Sequence, residues 1–263
     1  MMKTFMPLLL ALTALPVIGI APPAGAEAQG AVSPVEATWL YGRHTLPAKA
    51  RDSFFWKTIQ QSPGETEWTQ VARAQIKPGH KTPVVLYLHG CTGWSKQDDI
   101  YRDLLVKEDY AVFMPDSFQR PGRQQCGKQG PLEERVAMRT EEVEYALGKI
   151  RELPWVDQDH VILMGYSEGG NTTDNWSSPG FAAHIIIGSA CTLVGGEPAA
   201  PADVPVLAIV GEKDHYRPGQ SCRIDRTIGG SRSIVIPGGA HWVGDHAQTL
   251  DAIKTFLREC CSG

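Results

Sequence analysis

Ser167 stands between two glycines in the order Gly165-Tyr166-Ser167-Glu168-Gly169, directly after the apolar run Val161 to Met164. A serine hydroxyl attacks a carbonyl well only when it stands clear of the backbone on a sharp strand-to-helix turn. Small residues two before and two after it let neighbouring segments approach that turn without a Cβ clash. A helix opening behind the serine aims its first N–H groups at the bound carbonyl, where negative charge develops. Two later positions supply the rest of this chemistry. Asp214 follows the run Val204 to Val210 in Gly211-Glu212-Lys213-Asp214, and His241 follows Ser233 to Ile236 in Pro237-Gly238-Gly239-Ala240-His241. An imidazole, with its near-neutral pKa, can take the serine proton and return it to the leaving group, and a carboxylate behind it fixes the tautomer. Glu212 is the reserve acid, and His215 and His246 are the competing bases. His241, Asp245 and His246 also invite a metal reading, but no helical H-x-x-x-H pair accompanies them, so no metal or other cofactor is expected.

A developing oxyanion needs donors. Pro83 to Leu88 reads as a buried strand running into His89-Gly90-Cys91-Thr92-Gly93, a glycine-rich turn that brings backbone N–H groups close. The N–H of Cys91 and that of Glu168 are the expected oxyanion donors. Trp176, Tyr216 and Trp242 lie close in sequence to the reactive positions and are candidates to line a substrate pocket, with core packing an equal alternative for each.

The elements that must position these residues alternate. Strand patterns at Trp68 to Ile76, Pro83 to Leu88, Tyr110 to Met114, Val161 to Met164, Ala183 to Gly188, Val204 to Val210 and Ser233 to Ile236 are interleaved with helical spacing over 99–108, 132–153 and 244–260. The helix over 132–153 has Val136, Val143, Ala146, Leu147 and Ile150 as its apolar stripe, which places Glu141, Glu142 and Glu144 on the wet face. In the Arg- and Gly-rich loop before it, Asp116 is expected to hold a turn, and Arg120 and Arg123 read as solvated charge. Phe54, Phe55 and Trp56 are expected to cover core, and residues 176–180 form a loop able to overhang the site.

The length suits one large α/β domain. A net charge of −4 with no Lys/Arg block gives no sign of a nucleic-acid partner or an anionic membrane surface. Residues 1–26 have the basic start, apolar stretch and Ala24-Gly25-Ala26 ending of a cleaved signal peptide. Pro16, Pro22 and Pro23 interrupt the stretch and argue against a membrane anchor. Residues 27–34 are expected to be a disordered tail and 35–263 the folded domain. Export to the periplasm or outside the cell favours paired cysteines. Cys91 and Cys126 follow early strands of the sheet and Cys191 and Cys222 follow late ones, so Cys91–Cys126 and Cys191–Cys222 are the expected bridges. Cys260 and Cys261 are left open between pairing, cross-linking chains and staying free.

Ser167, Asp214 and His241 occur in the order Ser, Asp, His, each just after a strand pattern. With that order, the wording HGCTG, then PDSF with a later Cys, then VDQDHVILMGYSEGG resembles the dienelactone hydrolase family of α/β hydrolases, over approximately Val84 to Leu257. The resemblance implies a doubly wound, mostly parallel sheet with helices on both faces and hydrolysis of a small-molecule ester or lactone. The family's namesake enzymes carry Cys as nucleophile and a carboxylate in the loop after the early strand. Here Ser167 and the pair Cys91-Thr92 stand in those places, which argues against dienelactone itself as substrate and favours a serine esterase or a related acyl hydrolase. Two rivals remain. A serine peptidase of the prolyl oligopeptidase type shares the elbow and chain order, but needs a gating domain for which the N-terminal segment is short. A secreted binding protein on a hydrolase scaffold would not keep all three reactive residues. Oligomeric state is not legible.

Overall fold

The computed structural model describes residues 32–50, 79–128, 130–216 and 219–261. The expected signal peptide and tail, the aromatic cluster at 54–56 and the strand over 68–76 fall largely or wholly outside these residues.

Among the described residues, seven strands form one sheet: β1 (Arg43–Thr45), β2 (Thr82–Leu88), β3 (Ala111–Met114), β4 (Val156–Tyr166), β5 (Ala183–Ile187), β6 (Val206–Gly211) and β7 (Arg232–Ile236). Their order is β1-β3-β2-β4-β5-β6-β7. Only β1 is antiparallel to its neighbour, β3; the other pairs are parallel. Parallel strands are covered on both faces, so they read as continuous apolar runs. In β2, Val85 and Tyr87 enter one core while Val84, Leu86 and Leu88 enter the other.

Among the described residues, five α-helices flank the sheet: α1 (Pro34–Leu40), α2 (Asp98–Lys107), α3 (Leu132–Arg151), α4 (Glu168–Asn175) and α5 (Ala247–Cys261). The first core joins Tyr101 and Leu105 of α2 to Ile253, Phe256 and Leu257 of α5. The second joins Trp39 of α1 to Val143, Leu147 and Ile150 of α3. This is a doubly wound α/β sheet, the fold expected. Helix α1 was not anticipated, although Ser33-Pro34-Val35-Glu36 announces it. Ser33 Oγ accepts from Glu36 N–H, the Glu36 side chain accepts from Ser33 N–H, and proline occupies the first turn.

Helix α3 departs from the expected pattern. Its buried residues include Arg139 and Glu142 besides the apolar stripe. Glu142 therefore does not lie on the wet face, because it answers charges brought from other elements. Three disulfides are present: Cys91–Cys126, Cys191–Cys222 and Cys260–Cys261. The last settles which of three fates that pair takes in this structure. No helix among the described residues is long and apolar enough to cross a membrane.

Candidate active site

Ser167 sits between the end of β4 and the start of α4 with φ at 54° and ψ at −113°, a positive-φ conformation that a non-glycine residue adopts only where its surroundings enforce it. The enforcement is visible at the two flanking glycines. A Cβ on Gly165 would strike the Gly169 carbonyl, and one on Gly169 would strike the Leu88 carbonyl. The helix thus packs against β2 and β4 so closely that only hydrogen fits. Ser167 N–H donates to the Ile187 carbonyl at 2.8 Å, which fastens the turn to β5.

Asp214 and His241 come from the loops after β6 and β7. Ser167 Oγ lies 2.9 Å from His241 Nε2, and His241 Nδ1 lies 2.7 Å from Asp214 Oδ2. A carboxylate only accepts, so Nδ1 carries the proton and Nε2 is left as acceptor for the serine hydroxyl. Asp214 is buried, and its Oδ1 accepts from Tyr216 N–H at 2.9 Å. The two loops are tied together by Lys213 N–H to the Gly239 carbonyl at 2.7 Å and by Gly238 N–H to Glu212 Oε2 at 2.7 Å. Glu212, the reserve acid, therefore braces the histidine loop. His215 packs at 5.6 Å from the His241 ring, and His246 faces Asp245.

The cleft in front of Ser167 has a volume of about 210 Å³ and is lined by Cys91, Glu168, Tyr216 and His241 among others. Both residues expected to supply oxyanion N–H groups thus border it, and so do Cys126 and Arg135. Tyr216 is exposed and meets the His241 ring edge-on at 4.7 Å. The other two aromatic candidates lie elsewhere. Trp176 is buried in the core on the α3 side against Phe181, since its bulk is needed to fill the space behind α4, and the 176–180 loop therefore does not overhang the cleft. Trp242 packs on Tyr101 and Tyr166, each at 5.0 Å, and so supports the histidine loop from the first core.

The largest feature missed in the sequence is a buried charge network behind Cys91 and Glu168. The Glu168 carboxylate is paired with Arg123, with Arg135 at 3.1 Å and with Arg139 at 3.4 Å. Glu142 Oε2 lies 3.0 Å from Arg139 Nε, and its Oε1 accepts from Ser117 Oγ and from Arg120 Nε, both at 2.9 Å. Arg120 and Arg123 are thus not solvated loop charges; an ion pair holds each against α3 or α4. Burial pushes the Glu142 carboxyl above its usual range, against the pull of Arg139, and burial likewise lowers the Arg123 guanidinium. Asp116 holds its turn as expected, accepting from Phe118 N–H at 3.0 Å.

His89 occupies the same region, fully buried. Its Nδ1 donates to the Gly90 carbonyl at 2.7 Å and its Nε2 accepts from Ser117 N–H at 3.1 Å. Burial, reinforced by Arg139, drives its pKa well down, so it is neutral. The Gly90 carbonyl shares a planar trans peptide with the Cys91 N–H, so anchoring the oxygen aims that N–H the opposite way. One group of possible metal ligands occurs among the described residues, Asp174 with Cys191 and Cys222. Its sulfurs are joined in a disulfide and offer no thiolate.

Comparison with known proteins agrees with this architecture. No curated protein matches the chain. Among solved structures, ferulic-acid-bound Est1E from Butyrivibrio proteoclasticus is 16% identical, with a TM-score of 0.52 over 71% of this chain and 92% of that one. An esterase of Pyrobaculum calidifontis is 15% identical, with a TM-score of 0.48 over 71% of this chain and 80% of that one. Likeness at such identities concerns the fold. The model of the dienelactone hydrolase family matches residues 71–229, more than half of the sequence, and on that match the chain belongs to the dienelactone hydrolase family.

Proposed function

We propose that the protein is an exported serine hydrolase that cleaves a small ester or lactone through an acyl-enzyme. The observation that carries this reading is the unbroken hydrogen-bonded line from Ser167 Oγ through His241 to Asp214 at the cleft. In the first half-reaction His241 Nε2 takes the serine proton as Oγ bonds to the substrate carbonyl carbon. The N–H groups of Cys91 and Glu168 receive the charge that forms on oxygen. The imidazolium, steadied by Asp214, then gives that proton to the departing alcohol oxygen. Water repeats the sequence in reverse, with His241 as base, and releases the acid and free Ser167. Tyr216 borders the entrance, where it contacts substrate.

The cleft's small volume fits a compact substrate better than a polypeptide. The disulfides support an oxidising compartment, consistent with removal of residues 1–26 as a signal peptide. Mass spectrometry of the secreted protein is expected to find Ala26 absent and Glu27 first; retention of Met1 would contradict export by this route. The catalytic reading is tested with p-nitrophenyl esters: Ser167→Ala is expected to lose at least about four orders of magnitude in kcat. Wild-type turnover by that variant would overturn it, and faster cleavage of peptides than of esters would favour a peptidase.

A further inference from the structure

Arg139 lies fully buried on α3, with no access to the cleft, yet it touches both loops that supply the oxyanion donors. Its Nη1 donates to the His89 carbonyl at 3.2 Å and to Glu168 Oε1 at 3.4 Å. The first contact fixes the peptide just before the Gly90–Cys91 peptide, whose own carbonyl is held by His89 Nδ1. The second holds the residue whose N–H opens α4 directly after Ser167. The Arg139 Nε faces Glu142 Oε2 at 3.0 Å in an ion pair, and Glu142 is fastened by Ser117 and Arg120, so a second charge anchors the guanidinium beside its two loops. No other described side chain donates to both the β2 loop and the elbow.

We propose that Arg139 is a positioning residue that sets the spacing between the Cys91 and Glu168 N–H groups, and hence the width of the oxyanion hole. The proposal rests on the serine-hydrolase reading above. A guanidinium suits the task because its donors are rigidly planar and can serve two acceptors in fixed directions, whereas an ammonium on a flexible stem concentrates its charge at one point. The hole must be preorganised to act, since donors displaced by a fraction of an ångström stabilise the ground state and the transition state less unequally. The carboxylate of Glu168 is then part of the device. It stands one residue from the nucleophile and is neutralised by Arg123, Arg135 and Arg139, which leaves its backbone N–H to face the cleft without a competing negative field.

The test compares Arg139→Met, Arg139→Lys, Arg139→Ala and Glu168→Gln with the parent, each normalised by burst titration of active sites with a p-nitrophenyl ester, and Ser167→Ala is run beside them. Arg139→Met is expected to lower kcat per titrated site about 30-fold with KM within about twofold, because only the transition state needs the hole. Arg139→Lys is expected to recover part of that loss, and millimolar guanidinium to restore part of the turnover of Arg139→Ala. If Arg139→Met yields no folded protein, Glu168→Gln decides: a fall in kcat of about fivefold or more at constant KM is the expected result. Wild-type kcat per titrated site in Arg139→Met, or in Glu168→Gln where Met is not obtained, would overturn the proposal, even if thermal stability falls. Failure of the serine reading itself would show separately, as turnover by Ser167→Ala.

Discussion

On one side of Ser167 the chain buries a network of arginines and glutamates; on the other it buries the Asp214 carboxylate and ties its loops together with bonds from backbone N–H groups. The oxyanion side is walled by β2, the 115–131 loop and α3, and its interior holds Glu168 and Glu142 among Arg120, Arg123, Arg135 and Arg139. The base side is two loops after β6 and β7, joined by two short hydrogen bonds and overlain by the exposed Tyr216. On the mechanism proposed above, the contrast follows from what each side has to do. Donors to an oxyanion act by not moving, because reorganising them during the reaction would cost the stabilisation they provide. An imidazole must pass a proton between two atoms in turn, and a loop held at its ends allows that small adjustment. Buried ion networks are weak sources of net stability but strong constraints on geometry, which suits the first side.

The sharpest way to break the comparison lies on the base side. Asp214→Asn leaves shape intact but permits the wrong imidazole tautomer, so kcat is expected to fall by about 10³-fold to 10⁴-fold with little change in melting temperature. A loss under tenfold in steady-state ester assays would remove Asp214 from its role. The two long-range disulfides sharpen it further. Cys91–Cys126 and Cys191–Cys222 span 35 and 31 residues, and by loop-closure entropy each contributes about 4 kcal/mol. Urea unfolding of Cys91→Ser/Cys126→Ser and of Cys191→Ser/Cys222→Ser should therefore show similar losses. Only the first pair borders the cleft, so only it is expected to lower kcat per titrated site, by roughly tenfold. Equal kinetic effects from both would erase the distinction between the walls.

Acid probes the interior shared by both sides. Burial lowers His44 to about 4 and His184 to about 3, and pushes His89 well down. A group whose folded pKa is depressed binds its proton more readily when unfolded, so stability is full above about pH 6.5 and falls as pH drops toward the folded values. By pH 4 His184 alone should cost about 3 kcal/mol. His184→Leu is expected to shrink the difference in unfolding free energy between pH 7 and pH 4 by that amount, and an unchanged difference would contradict it. The smallest effect belongs to the exposed rim. Tyr216→Ala should raise KM by about twofold to fivefold with kcat nearly constant, measured across a series of p-nitrophenyl esters.

What could be read from the sequence was whatever announces itself locally. The apolar runs at Val84 to Leu88, Val161 to Met164 and Val204 to Val210 mark parallel strands because such strands are buried on both faces. The glycines around Ser167 mark a turn too tight for Cβ. The charge network escaped because its members look like surface: Glu141-Glu142 sits in a helix of ordinary polarity, and Arg120 and Arg123 sit in a polar loop. Their burial depends on partners up to about fifty residues away, and nothing in local periodicity reports that. Trp176 was left undecided between pocket and core for a related reason. Nearness in sequence to Ser167 says little about which face of α4 the following residue joins, and the space behind the helix claims it for the core. Helix α1 was legible in principle, from its capping box, but its short length gave no periodicity to draw attention to it.

The most direct test of the account is covalent. The purified protein is treated with a fluorophosphonate, digested, and the adduct mapped by mass spectrometry. One adduct per chain on the peptide bearing Ser167, lost in Ser167→Ala and slowed in His241→Ala, is the predicted result. A protein that hydrolyses p-nitrophenyl esters while Ser167 stays unlabelled, or one labelled stoichiometrically at another residue, would contradict it.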